Sequence, residues 1–417
     1  MGYYLVEGGK PIGGEFAVRG SKNAALPILA ATLLAEDEVV LENCPMIRDF
    51  YLTLDILRAL GCRVELTGRT AVIDTRQIHD VKIREETVQK MRSSILFLGA
   101  LLGREKRAVL GHPGGCAIGK RPIDIHLSAF EKMGVEIQEE EGLFYCSAPH
   151  ILGYQIYLKY PSVGATENIL LLAVKAEGVT VIHNAAREPE IVALVRFLRA
   201  CGAEIYGEGT PSIMIEGVKS LHGAYFSIPF DRIEAGTFLC ASAMTGGELC
   251  LSGVEKDDME TTIDVLEKTG CRLTFASDRL WMKPPKKLKS DFSLTTGPFP
   301  GFPTDMQPLI MSLLTLAKGT CMISETVFEA RFRHAEELCR MGADITIADR
   351  VAQIKGCEGL IGAEVFGTDL RGGAALLIAA LAAEGKSVIH GAEYVERGYE
   401  KIEHAFSFLG GSVRLME

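Results

Sequence analysis

The sequence predicts an α/β protein of two domains, each built from three β-α-β-α-β units whose sheets face outward around buried parallel helices. Three observations predict it. A phrase of helix, glycine and strand recurs six times. Most of these phrases follow a helix that is apolar on nearly every side, as core helices are. The chain, at 417 residues, exceeds what one hydrophobic core usually supports.

The six phrases are LRALGCRVEL at Gly61, FEKMGVEIQ at Gly134, LRACGAEIYG at Gly202, LEKTGCRLTF at Gly270, LCRMGADITI at Gly342 and FSFLGGSVRL at Gly410. The glycines stand roughly 70 residues apart, so the repeat tiles almost the whole chain. In each phrase an amphipathic helix ends at a Gly suited to a left-handed cap, and an alternating strand follows. The other helix of a unit reads AALPILAATLLAE after Asn23, ILFLGALLG after Ser94, NILLLAVKAEG after Glu167 or AALLIAALAAEG after Gly373. Short strands such as VVLEN, VTVIHN and SVIHG come next. Residues 1–21 read as a hairpin that completes the last unit. The expected domains are therefore 22–229, carrying a loop at 112–122, and 1–21 with 230–417.

A net charge of -10 argues against a nucleic-acid or anionic-membrane binder, because phosphate neutralisation needs a broad basic surface. The longest apolar stretch, Ala24 to Ala35, is too short for a bilayer and contains Pro27. The start, MGYYLVEGGKPIGG, has no signal pattern, so the cytoplasm is expected. Eleven cysteines without a CxxC pair suit a reducing compartment rather than a disulfide framework or zinc site. Cys62, Cys201, Cys271, Cys240, Cys250 and Cys321 read as small buried hydrophobes. No metal or cofactor is expected: His112 and His126 lack partners at ligand spacing and read as exposed or capping residues. No obligate protein partner is evident either.

Polar residues recur just before each buried helix: Lys22 and Asn23, Lys90 and Arg92, Ser162 and Gly164, Asp231 with Arg232 and Glu234, Asp305, and Asp369 with Arg371. Parallel helices would gather these N-termini on one face of each domain, where partial positive charge and free N–H groups bind anions. Ser162, Asp231, Asp305 and Asp369 can each equally be an N-cap. Lys22, Arg92 and Arg371 oppose the helix dipole, so they call for an external anion or nearby carboxylates.

Residues 111–124, GHPGGCAIGKRPID, hold too many Gly and Pro residues for an element interior and read as a mobile loop. They lack the ending of a phosphate loop. Lys120 and Arg121 would lower the thiol pKa of Cys116 and make it the reactive cysteine of the chain.

The phrases GSKNAALPILAATLLAE, KMRSSI, PGGCAIGKRPID, SVGAT, NAAREPEIV, DRIEAGTF, FPTDMQ, SETVFEARF, TDLRGG and ERGYEKIE resemble the enolpyruvyl transferase family that acts on UDP-N-acetylglucosamine. The resemblance runs the whole length and implies a two-domain inside-out α/β barrel of six units, with substrates in a cleft that closes. It implies transfer of the enolpyruvyl group of phosphoenolpyruvate to a UDP-linked amino sugar, the first committed step of peptidoglycan precursor synthesis. By the same resemblance Lys22, Arg121 and Arg397 contact phosphoenolpyruvate. Asn23, Arg92, Asp305, Val327, Arg331 and Arg371 match substrate-binding positions. Arg121, Pro122, Ile123, Asp124 and Ile125, together with Ser162, Val163 and Gly164, match the uridine and diphosphate segments. One departure is visible: some members place a Lys where this chain has Tyr160, with Lys159 one position earlier.

Such a transfer needs a proton for the methylene carbon, attack by the sugar 3-hydroxyl on the adjacent carbon, and loss of phosphate. Asp305 is the expected base and Cys116 the expected acid, with a covalent adduct also open to the thiol. Lys22, Arg121 and Arg397 would neutralise the anionic donor as charge shifts. Alkylation of Cys116 by an epoxide phosphonate such as fosfomycin is expected on the same grounds.

Overall fold

The computed structural model describes residues 2–114, 118–119 and 122–416. Cys116, Lys120 and Arg121 lie outside them. The described residues form two compact units: 20–114 with 122–229, and 2–19 with 118–119 and 230–416. Residues 118–119, read from sequence as part of a loop on the 22–229 domain, group with the second unit, where the Ala330 amide donates to the Ile118 carbonyl at 3.0 Å.

Each unit contains three sheets. In the 20–229 unit they run Tyr225–Ser227, Glu38–Glu42, Thr70–Asp74, Arg63–Thr67; then Arg107–Gly111, Leu143–Ser147, Glu136–Glu140; and Glu204–Tyr206, Ser212–Glu216, Val179–His183, Gln155–Tyr157. The second sheet has three strands because its parallel edge shrinks to one bridge, Lys82 to Val109. In the 230–416 unit the sheets are four-stranded, and each pairs the strand after a buried helix in parallel with an edge strand of three or four residues.

The buried helices are Lys22–Thr32, Leu96–Glu105 and Val163–Ala173 in one unit, and Arg232–Thr245, Gln307–Leu314 and Leu370–Ala382 in the other. Their apolar residues supply the centre of each unit's core, which is why no polar stripe is needed along them. The second helix of each repeat is amphipathic and runs into its glycine; all six of those glycines have positive φ. The six cysteines read as core residues are buried. No helix among the described residues is long and apolar enough to cross a membrane.

The N-terminal stretch differs from its sequence reading. It is not a hairpin completing one sheet. Tyr3–Glu7 lies antiparallel between Lys386–His390 and Ser412–Met416, whereas Gly14–Ala17 runs parallel to Leu249–Ser252 in another sheet. Glycines permit the crossing: Gly9 has φ +83, and a Cβ on Gly8 would stand 2.1 Å from the Ala383 carbonyl oxygen. The mirror arrangement closes the other unit, where Tyr225–Ser227 pairs in parallel with Glu38–Glu42.

Candidate active site

In the 20–229 unit the polar cluster grows from three helix starts. Ser21 caps the first, its Oγ accepting from the Ala24 amide at 3.3 Å. The next residue, Lys22, sends Nζ to Asp49 Oδ2 at 2.8 Å, and Asp49 is 1% exposed. The buried carboxylate thus holds an ammonium that would otherwise oppose the helix dipole. Asn23 stands beside it, half-buried.

Arg92 opens a 3-10 turn, Arg92–Ile95, ahead of the second buried helix, and its Nη2 donates to the Pro122 carbonyl at 3.2 Å. That contact ties Arg92 to the segment Pro122–Ile125, in which Ile123 is buried and Asp124 is exposed. Ser162 caps the third buried helix, accepting from the Ala165 amide at 3.3 Å, with Val163 and Gly164 forming its first turn. Tyr160, the position of the departure, is 40% exposed.

His126 was read as exposed or capping; it is buried instead. It packs against Gly164, where an added Cβ would lie 3.4 Å from His126 Cε1. Asn168 explains why. Its amide oxygen accepts from the Gly99 amide at 2.9 Å, and its nitrogen donates to the Ile95 carbonyl at 2.9 Å and to His126 Nδ1 at 3.0 Å. Both amide hydrogens are then used, so His126 Nδ1 is an acceptor and the ring proton sits on Nε2. Burial, followed by the charge of Arg92, pushes His126 down to about 3, leaving the imidazole neutral.

In the other unit Asp231 and Asp369 are N-caps. Asp231 Oδ1 accepts from the Ile233 and Glu234 amides, and Asp369 Oδ1 from the Arg371 and Gly372 amides. Asp305 is different. It sits in a 3-10 turn, Thr304–Met306, and its two oxygens go to two arginines: Oδ1 to Arg331 Nη2 at 2.7 Å and Oδ2 to Arg371 Nη2 at 3.2 Å. Both arginine side chains are 2% exposed, while Asp305 is 28% exposed, so two buried guanidiniums hold a carboxylate that is itself partly exposed.

Glu325, buried, braces the neighbouring turn: Oε1 accepts from the Val327 and Phe328 amides, and Oε2 from the Thr304 hydroxyl at 3.0 Å. Val327 is thereby fixed relative to the Asp305 turn. Arg397 is half-buried, in the turn after the short helix Ala392–Val395. Glu234 is buried, receives the Arg19 amide at 2.9 Å, and is pushed up to about 7 by burial.

In one unit the structure puts Lys22, Arg92 and Ser162 at the starts of buried helices, ties Arg92 to Pro122 and sets Gly164 against His126. It gathers Asp305, Arg331, Arg371 and Val327 in the other. Asp49, Asn168 and Glu325 were missed by sequence reasoning, and the burial of His126 was misread. Only Asp49 carried a signal, an acidic residue in a helix first turn that matched no cap pattern.

A family model for EPSP synthase (3-phosphoshikimate 1-carboxyvinyltransferase) matches residues 6–406. UDP-N-acetylglucosamine 1-carboxyvinyltransferase 2 of Caldanaerobacter subterraneus is 49% identical over 417 residues, covering 100% of both chains. UDP-N-acetylglucosamine 1-carboxyvinyltransferase of Nitratidesulfovibrio vulgaris is 46% identical, covering 99% of each. The crystal structure of the enolpyruvyl transferase NikO from Streptomyces tendae superposes with a TM-score of 0.90 at 26% identity, over 100% of this chain and 99% of that one. With its six-sheet architecture and both polar clusters in place, the chain belongs to the EPSP synthase family and, within it, to the UDP-N-acetylglucosamine 1-carboxyvinyltransferases.

Proposed function

We propose that this chain transfers the enolpyruvyl group of phosphoenolpyruvate to the 3-hydroxyl of UDP-N-acetylglucosamine with release of phosphate, the first committed step of peptidoglycan precursor synthesis. The observation that carries the reading is Asp305, a partly exposed carboxylate held between the buried Arg331 and Arg371, in a chain whose full-length relatives bear that activity in their names.

The step is an addition followed by an elimination. The donor's carbon–carbon double bond takes a proton at the methylene carbon, and the sugar oxygen, giving its proton to a base, bonds to the adjacent carbon. The new methyl group then returns a proton, the double bond re-forms, and the carbon–oxygen bond to phosphate breaks. Asp305 is the base, since a carboxylate held in place by two guanidiniums needs no reorganisation before it accepts the hydroxyl proton. Cys116 is the acid. Lys22, held by Asp49, acts with Arg121 and Arg397 on the donor's phosphate and carboxylate.

Asn23, Arg92, Arg121–Ile125, Ser162–Gly164 and Val327 take the sugar nucleotide, whose diphosphate suits the N-terminus of the helix Val163–Ala173. Arg331 and Arg371 complete the acceptor subsite around Asp305. The reaction belongs in the cytoplasm, a compartment that the free cysteines suit.

Mixing the chain with both substrates and measuring inorganic phosphate tests the reading, with shikimate 3-phosphate as control acceptor. Phosphate release only with the sugar nucleotide supports it; release with shikimate 3-phosphate alone overturns it. Cys116 is expected to gain the mass of fosfomycin, faster with the sugar nucleotide bound. An unmodified thiol after prolonged exposure removes Cys116 from the reaction.

A further inference from the structure

Arg371 is a buried cation only partly supplied with acceptors. Its Nη2 meets Asp305, but Nε and Nη1 are buried without a hydrogen-bond partner. An arginine left so would rock about its one ion pair and carry Asp305 with it. Its other flank is closed by Tyr399, 1% exposed, whose ring centroid lies 5.3 Å from the guanidinium carbon.

A proton count fixes how Tyr399 is oriented. The Thr237 hydroxyl, inside the buried helix Arg232–Thr245, donates its one hydrogen to the Ile233 carbonyl at 2.7 Å. Thr237 Oγ1 and Tyr399 Oη are 2.7 Å apart, so the hydrogen between them comes from the phenol. Burial keeps that phenol protonated by raising its pKa. With its hydrogen committed to Thr237, the Tyr399 oxygen offers only lone pairs to the guanidinium beside it.

We propose that Tyr399, oriented by Thr237, is a positioning residue for the proposed reaction: it fixes Arg371 so that Nη2 clamps one oxygen of Asp305 while Arg331 clamps the other. The chain Ile233 carbonyl, Thr237, Tyr399, Arg371, Asp305 runs from a helix backbone to the reacting carboxylate. Its role rests on the reading of Asp305 as base.

The test uses the full chain and the near-isosteric variants Tyr399→Phe, Thr237→Val and Thr237→Ser. Tyr399→Phe and Thr237→Val are expected to lower kcat about tenfold through a small misplacement of Asp305, with the KM for the sugar nucleotide little changed. Thr237→Ser, which keeps the hydroxyl, restores turnover. In an Arg371→Lys background Tyr399→Phe adds no further loss, because the two act as one device. Additive losses, or Thr237→Ser as poor as Thr237→Val, overturn the proposal.

A second readout does not depend on turnover. With nitrogen-15 arginine, the Arg371 guanidinium signals, identified by their loss in Arg371→Lys, are expected to be resolved by slow rotation in the unaltered chain and to merge in Tyr399→Phe. Unchanged signals overturn the positioning role. If the unaltered chain releases no phosphate, the proposed function fails, and the nitrogen signals still decide whether Tyr399 holds Arg371.

Discussion

Asp305 illustrates how one residue's role follows from its neighbours. A capping aspartate spends its oxygens on backbone amides, as Asp231 and Asp369 do. Asp305 places its oxygens against two buried guanidiniums instead, while the carboxylate itself stays 28% exposed. Asp305→Ala is expected to reduce turnover roughly 10²-fold or more while the sugar nucleotide still binds, checked by steady-state phosphate release and by calorimetric titration. Near-normal turnover removes Asp305 from the base role. The same variant strands two buried cations, so its melting temperature should also fall. Lys22 obeys similar logic: Asp49→Asn removes the anion behind it and is expected to raise the KM for phosphoenolpyruvate.

At the scale of elements, one side chain organises a whole helix start. Asn168 ties Gly99 to Ile95, accepting from the amide of one and donating to the carbonyl of the other. It can do so because position 99 has no side chain: a Cβ there would lie 2.4 Å from Asn168 Oδ1 and 2.5 Å from its backbone oxygen. Gly99→Ala is therefore expected to cost about 1–3 kcal/mol by overpacking, measured by urea unfolding. Asn168→Leu removes its three buried hydrogen bonds, to Gly99, Ile95 and His126, and should cost about 2–4 kcal/mol. An unchanged midpoint in both variants removes this bridge from the core.

These elements also show what could be read from sequence. The helix-glycine-strand phrase was legible because period and cap are local properties, and the six glycines adopt the backbone they suggest. The placement of Lys22, Arg92, Ser162 and Asp305 at helix starts was legible from the apolar runs that follow them. The partnerships were not. His126 meets Asn168 across 42 positions and Thr237 meets Tyr399 across 162, and no local pattern encodes such pairs. The N-terminal strands misled for the same reason: adjacency suggested a hairpin, whereas pairing with distant strands decided their sheets.

On the scale of the whole molecule, buried titratable groups make stability depend on pH in two directions. Glu234 is raised from 4.5 to about 7, so the folded chain binds its proton more tightly than the unfolded one. That contribution is complete below about pH 4.5 and is lost as the pH rises through 7. His126 is lowered from 6.5 to about 3. The unfolded chain then binds its proton more tightly, and stability is lost as the pH falls below 6.5 toward 3. His334, lowered to about 4 by burial, adds to the acid side. Trp281, the single tryptophan, lies in the unit that holds Glu234, so its fluorescence follows that unit's unfolding. Glu234→Gln is expected to flatten the loss between pH 4.5 and 7 in that signal; an unaltered slope removes Glu234 from the linkage.

The chemistry turns on which bond to the donor oxygen breaks. Phosphoenolpyruvate carrying oxygen-18 at the bridging position, incubated with the chain and UDP-N-acetylglucosamine, separates the possibilities by mass spectrometry of the released phosphate. Addition and elimination at carbon should deliver the heavy oxygen to phosphate, and only when the sugar nucleotide is present. Heavy oxygen retained on the organic product, or phosphate formed equally well without the sugar nucleotide, overturns enolpyruvyl transfer as the activity of this chain.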